Sequence, residues 1–142
     1  MDSFSRRTIM QSFLAGLALP LAGGAAGPVG LPTEVLTVAQ AKLDHHPFGD
    51  QRTFLEGPTQ ELKSLTVGSI VLKPGDEPHP PHRHPEEEIM LITSGRGTIF
   101  VEGKTAPVKT GDLMYSAGNH AHGIKAAADS ELAFYYFKWL GK

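Results

Sequence analysis

The feature that most constrains the fold of this 142-residue chain is a series of short apolar runs separated by turn residues. The runs are rich in β-branched and aromatic residues, and 16 glycines and 11 prolines supply the breaks. Short strands separated by turn signals roughly every 8–12 residues are typical of an all-β sandwich or barrel. The predicted strands are EVLTV (34–38), SLTVGSIVL (64–72), EIMLITS (88–94), TIFVEGK (98–104), APV (106–108), LMYS (113–116) and ELAFYYFKWL (131–140).

The connections between these strands are also predicted from turn residues. HHPFGDQ (45–51) and AGNHAHG (117–123) are interpreted as loops. Gly95-Arg96-Gly97 is interpreted as a tight hairpin rather than a phosphate-binding loop, because no Lys-Ser/Thr pair and no helix follow it.

The first residues have the pattern of a secretory signal peptide. Arg6 and Arg7 precede the apolar run at 13–22, and small residues follow at 23–27. The paired arginines resemble the twin-arginine type, with a partial match in the residues after them. We expect residues 1–26 to be removed, residues 27–33 to form a linker and residues 34–142 to form one domain. The mature protein is then exported to the periplasm or outside the cell, without a membrane anchor.

Composition excludes several classes of function. The formal net charge is −2 and no Lys/Arg-rich run is present, which argues against a nucleic-acid partner. The chain has no cysteine, which excludes disulfides, thiolate metal sites, iron–sulfur clusters and a cysteine nucleophile. Any metal must therefore be held by nitrogen and oxygen atoms.

The stretch PPHRHPEEEIMLITSG (80–95) concentrates such atoms just before a predicted strand. His82 and His84 alternate, so in an extended segment they face the same side, and Glu88 has the same parity. Two imidazoles and a carboxylate suit a divalent first-row metal. A fourth donor is expected from a distant turn, where His120 and His122 have equal parity and both remain open.

The spacing of this stretch resembles the first conserved motif of the cupin superfamily. The glycine, paired histidines, glutamate and closing glycine of that motif match Gly75, His82, His84, Glu88 and Gly95. One residue more than usual separates the first glycine from the first histidine.

A second motif, which begins at Gly111, is less complete. Its histidine matches His122, whereas alanine, asparagine and alanine replace the usual proline, glycine and asparagine at Ala117, Asn119 and Ala126. The resemblance selects His122 over His120, which becomes a loop histidine or one that supports the ligands.

The resemblance implies a single-domain cupin jelly-roll β-barrel with one divalent transition metal (Mn, Fe, Ni, Cu or Zn). The implied ligands are His82, His84, Glu88 and His122. It further implies an enzyme that acts on a small organic molecule, with dioxygenase-like oxidation as the leading reaction class and isomerisation or decarboxylation as others. Tyr115 is the candidate for handling a proton. The alternative is a non-catalytic extracytoplasmic module that binds a small ligand or metal, and in either case a homodimer is expected.

Overall fold

Every regular element is a β-strand within residues 30–142, which the computed structural model describes. The prediction of an all-β fold is confirmed. The predicted signal peptide (1–26) lies outside the described residues, as does the start of the predicted linker. Eight strands are present: β1 Lys42–His46, β2 Gly49–Gly57, β3 Leu62–Leu72, β4 Glu87–Val101, β5 Lys104–Lys109, β6 Leu113–Ser116, β7 His122–Ala126 and β8 Leu132–Gly141.

The strands form an antiparallel jelly-roll barrel around β4. The main path runs β1-β2-β3-β8-β4-β5. The first half of β4 lies between β8 and β6, whereas its second half lies between β5 and β7. One long strand thus belongs to two sheets, which brings β7 and the segment before β4 to the same end of the barrel.

The prediction of a hairpin at Gly95-Arg96-Gly97 is wrong, because these residues lie inside β4. The chain bends there instead of reversing: the register with β8 shifts between Ile92 and Ser94, and Gly95 has φ +81°. A Cβ at Gly95 would lie 1.9 Å from the carbonyl oxygen of Glu131. Glycine is therefore needed at the bend where β4 changes its neighbouring strands. Glycine is also the usual residue of a tight turn, so the local sequence does not distinguish a bend from a turn.

Two further predictions near the start of the domain are wrong. Residues 34–38 form no strand, and Val35 is 86% exposed, because no neighbouring strand pairs with them. Residues 45–51, predicted as a loop, contain the end of β1, a two-residue turn and the start of β2. The sequence KLDHH of β1 has no β-branched residue, so the pairing with β2 is what makes it a strand.

Inward-facing residues of β2, β3, β8 and β4 line up in three rows, which we call the floor, middle and mouth rows. The floor row is mostly apolar and the mouth row is polar, so polarity rises along the barrel towards one end. The floor row is Gln51, Ile70, Phe134 and Ile92; the middle row is Thr53, Gly68, Tyr136 and Met90; the mouth row is Glu56, Thr66, Lys138 and Glu88.

The floor row continues into the buried core, where Leu72 and Leu132 are fully inaccessible. No helix among the described residues is long and apolar enough to cross a membrane.

Candidate metal centre

The four predicted ligands meet at the mouth end of the barrel. Glu88 lies on β4 and is 6% exposed, and His122 is the first residue of β7 and is 1% exposed. His82 and His84 lie in the segment before β4 and are partly buried. Two donors therefore come from strands and two from a loop.

A pair of backbone hydrogen bonds joins the loop to β7. The N–H of His82 donates to the carbonyl of His122 and the N–H of His122 donates to the carbonyl of His82, each at 3.0 Å. Residues paired directly across an antiparallel bridge present their side chains on the same face. The bridge therefore fixes the two imidazoles side by side, although the residues are distant in sequence.

Asn119 fastens the other end of the same loop. Its N–H donates to the carbonyl of His84 at 2.7 Å, and its own carbonyl accepts a hydrogen bond from Arg83 at 2.8 Å. Its φ is +64°, a left-handed conformation that asparagine tolerates better than most residues. The asparagine thus keeps the backbone that the usual glycine of the second motif would provide.

The side-chain donors converge around Glu88. One ring nitrogen from each of His82, His84 and His122 lies within 4.8 Å of the others. Oε2 of Glu88 is 3.0 Å from Nε2 of His84 and 3.0 Å from Nε2 of His122. Three imidazoles and one carboxylate form a donor set of the kind that binds divalent transition metals.

The hydrogen bonds on the far side of the His84 and His122 rings show that this set fits a cation. Nδ1 of His122 donates to the carbonyl of His120 at 2.9 Å, with Oγ of Ser116 at 3.1 Å. Nδ1 of His84 donates to the carbonyl of Glu86 at 3.1 Å, with a carboxylate oxygen of Glu86 at 3.2 Å. In the neutral imidazoles, both Nε2 lone pairs then face the carboxylate of Glu88. Such acceptor–acceptor contacts require protons or a metal ion between them.

His82 supplies a second sign of fit. Its Nδ1 is buried and has no hydrogen-bond partner among residues 30–142. Burial of a polar atom without a partner is unfavourable unless something else satisfies it. A ligand, ion or water bound at this atom would remove this cost.

The pKa values reflect the same coupling. The hydrogen bond to Glu88 raises the pKa of His122, against the opposing effect of burial. Burial alone would raise the pKa of Glu88, but the hydrogen bonds from His122 and His84 outweigh it and lower the pKa. Burial, followed by the nearby histidines, lowers the pKa of His82. The site therefore favours an anionic carboxylate and a neutral His82.

The structure separates His120 from His122. The ring of His120 is turned towards solvent, with Nδ1 3.8 Å from a carboxylate oxygen of Glu102, and only its backbone carbonyl contacts a donor ring. Parity did not separate the two residues, because His122 is the first residue of β7 and points inward, whereas His120 lies in the loop before the strand.

Tyr115, the predicted proton-handling residue, lies away from the site. It is 52% exposed on β6, and its hydroxyl donates to Oε1 of Glu87 at 2.7 Å on the outer face of the sheet. Strand alternation gives the inward position to its neighbour Ser116, which is 1% exposed. The geometry therefore gives Tyr115 no part in chemistry at the donors.

The donors open onto a cavity of about 350 Å³ in the barrel. His82, His84 and Glu88 line it, and the ring of His79 packs edge-on against His82 with centroids 4.0 Å apart. The remaining wall combines apolar and polar side chains from all three rows, among them Ile70, Met90, Phe134, Gln51, Tyr136 and Lys138.

Two residues of this environment, Ser116 and Lys138, were not predicted from the sequence. Ser116 supports His122, and Tyr136 and Lys138 line the cavity. Tyr136 and Lys138 alternate within ELAFYYFKWL, which is a signal for a shared face. Their direction depends on the register with β3 and β4, and that register is not visible in the local sequence.

The protein has a jelly-roll barrel with three histidines and a glutamate at one end. These features place it among the β-barrel proteins with a candidate metal site. Comparison with known families agrees: residues 68–137 match the model of the Cupin domain family. The chain belongs to the cupin superfamily.

Two curated proteins are similar to part of this chain. The chain is 28% identical over 85 residues to the dimethylsulfoniopropionate lyase DddW of Ruegeria pomeroyi, covering 60% of this chain and 55% of the relative. It is 33% identical over 54 residues to an oxalate-binding protein of Thermotoga maritima, covering 37% of this chain and 45% of the relative. The chain thus spans about half the length of these curated relatives.

An RmlC-like cupin from Shewanella frigidimarina has a similar solved structure. Its TM-score is 0.62 at 16% identity, and the match covers 75% of this chain and 89% of that one. At this identity the likeness concerns the fold alone.

Proposed function

We propose that this protein is a metal-dependent enzyme that acts on a small organic molecule. The observation that carries the proposal is that the donor set does not close on itself but faces a cavity of about 350 Å³. Sites for small molecules have volumes of roughly 300–1,000 Å³ and combine apolar walls with a few placed polar groups. A purely structural metal site has no need for such space.

The chain's own residues divide the work. His84 and His122 are oriented by their Nδ1 hydrogen bonds and Glu88 lies between them, so these residues would hold a divalent ion together with His82. When bound, such an ion would supply Lewis-acid polarisation of a ligand oxygen. Tyr136 lines the cavity and accepts a hydrogen bond from Gln51 at 3.0 Å, so its hydroxyl proton is what it would donate to a ligand.

Dioxygenase-like oxidation is the reaction class that we propose to test first, followed by lyase or decarboxylase chemistry. The names of the two curated relatives, a lyase for dimethylsulfoniopropionate and an oxalate-binding protein, make these two compounds rational members of the first panel.

The test compares two histidines of one loop. The full chain, His122→Ala and the matched control His120→Ala would be purified, and their metal content measured by elemental mass spectrometry. We expect near-stoichiometric metal in the wild type and in the control, and its loss in His122→Ala. Protein loaded with Mn, Fe, Ni, Cu or Zn would then be incubated with hydroxylated aromatic compounds and small acids, with oxygen uptake and substrate loss recorded. A wild-type protein without metal would overturn the proposal.

A second candidate function is non-catalytic binding of a small ligand. One observation favours it: burial raises the pKa of Tyr136, so this cavity group keeps its proton and does not act as a base near neutral pH. Metal retention with ligand binding, but no turnover of any compound by any metal form, would favour this candidate over the enzyme.

A further inference from the structure

Lys138 is the cationic side chain that the barrel directs towards the donors. It lies in the mouth row, directly opposite Thr66 on β3 and Glu88 on β4, and it lines the cavity. Side chains directly opposite one another on adjacent strands share a face at a Cβ separation of about 5 Å. The side chain of Lys138 therefore belongs to the same compartment as the donor set.

Lys138 nevertheless has no carboxylate partner in the described part of the chain. No ion pair within 4.0 Å joins it to Glu56 or to Glu88, whose Oε2 is already engaged by two histidines. Placing an unpaired ammonium beside a metal site is unfavourable unless an anion joins them.

We propose that the cavity selects organic anions, and that the amine of Lys138 binds a carboxylate group of the ligand. The inference rests on the proposed function for the neighbouring ion: a divalent cation and an ammonium together exceed the negative charge of Glu88 and Glu56, so the loaded cavity is net positive. The single charge of a ligand carboxylate offsets this excess.

The adjoining wall favours the same ligand chemistry. Tyr136 lies two residues before Lys138 on β8 and faces the same way, about 7 Å along the strand. Its oxygen already accepts a hydrogen bond from Gln51, so it offers a donor to the cavity. Ammonium and phenol donors from the inner face of one strand suit a ligand rich in acceptor oxygens, and a carboxylate offers four lone pairs.

Gly68 explains how the phenol reaches this position. It lies directly opposite Tyr136 on β3, and a Cβ at this residue would lie 2.3 Å from the hydroxyl and 2.6 Å from the carbonyl of Arg52. The absent side chain makes room for the tyrosine ring across the middle row. The pairing of β3 with β8 therefore determines the position of the Tyr136 hydroxyl.

The test measures binding and needs no turnover. Oxalate, propionate and benzoate would each be compared with the corresponding amide by titration calorimetry against the metal-loaded full chain. We expect at least one acid to bind about ten-fold or more tightly than its amide, as a charged hydrogen bond implies. In Lys138→Gln that preference should fall to about three-fold or less, and in Lys138→Arg it should persist.

Glu56→Gln is the matched control in the same row. Removing this exposed negative charge should leave the preference for the acid unchanged or increase it. Equal binding of acids and amides by the wild type, an unchanged preference in Lys138→Gln, or no binding of any acid would each overturn the inference. Melting temperatures would show that the variants are folded.

Metal content separates this inference from the proposed function. If the wild type holds no metal but still prefers acids through Lys138, the metal-dependent function fails and the anion site stands. If the metal is bound and the acid preference does not depend on Lys138, the anion site fails and the metal-dependent function stands.

Discussion

The two halves of the donor set are held in different ways. Glu88 and His122 lie on strands, are almost inaccessible to solvent, and contact each other directly. His82 and His84 lie on a loop that backbone hydrogen bonds from β7 and Asn119 fasten to the barrel. The strand half is fixed by the core, whereas the loop half depends on a few contacts near the surface. We infer that the strand half sets metal affinity and that the loop half sets the rate of exchange.

The largest effect is expected from breaking the strand half. Glu88→Gln leaves two imidazoles without their carboxylate, so the protein should lose its metal, and the metal-free form should lose about 3 kcal/mol of unfolding free energy. Metal analysis and urea denaturation measure the two effects.

Glu87, the residue before Glu88, offers a matched control. Glu87→Gln changes an outward carboxylate that accepts hydrogen bonds from Tyr115 and Trp139, so metal content should not change. Equal metal loss in both variants would contradict the assignment of Glu88 to the site.

A second, intermediate effect is a pH dependence that reverses when the metal binds. The folded pKa of His122 is raised above 6.5, so its stabilising effect in the metal-free protein is complete below pH 6.5 and is lost as pH rises through the raised pKa. The pKa of His82 is lowered, so this residue reduces stability only as the pH falls below 6.5. Metal-loaded protein should instead gain stability over the same rise, because ligand imidazoles must be neutral. Denaturation with and without a chelator from pH 6 to 9 would test this, and parallel slopes would refute it.

The pKa of Glu88 sets the acid limit of the metal-free protein. Because the folded pKa is lowered below 4.5, the contribution of Glu88 is present above pH 4.5 and is lost as pH falls through the lowered value. The His122–Glu88 pair is therefore most stabilising in mildly acidic solution, where both groups are charged.

The smallest effect is expected from loosening the loop half. Arg83 bonds to the carbonyl of Asn119 and pairs with Glu102 at 2.9 Å, both near solvent. Arg83→Gln should leave metal content unchanged but speed metal release to a chelator by about two- to five-fold, in keeping with an exposed ion pair. Arg96→Gln removes a comparable exposed pair with Asp129 and should not alter release. If both variants release metal at the wild-type rate, the loop does not control exchange.

The sequence was most informative where contacts are local. Parity predicted that His82, His84 and Glu88 share one side, and the structure brings them together, although a bend before β4 separates the two histidines from the strand. Parity did not distinguish His120 from His122, because the difference depends on where β7 begins. The second cupin motif selected His122, because it specifies the number of residues between Gly111 and the histidine.

The failures share a non-local cause. The bend in β4 arises because its halves pair with different strands, and the position of Lys138 follows from its register with β3 and β4. The strand β1 exists through its pairing with β2. Glycine content and β-propensity describe single segments, so they contain no information on which segments become neighbours.

The backbone bridge between His82 and His122 also has a consequence for assembly. The two residues come from distant parts of the chain, so their pairing forms late, after the costly closure of a long loop. Until then the imidazoles are dispersed, and any ion they meet is held by fewer ligands. We infer that the ions present where the last strands join decide which metal is bound, so that the same sequence folded in two different compartments would acquire two different metals.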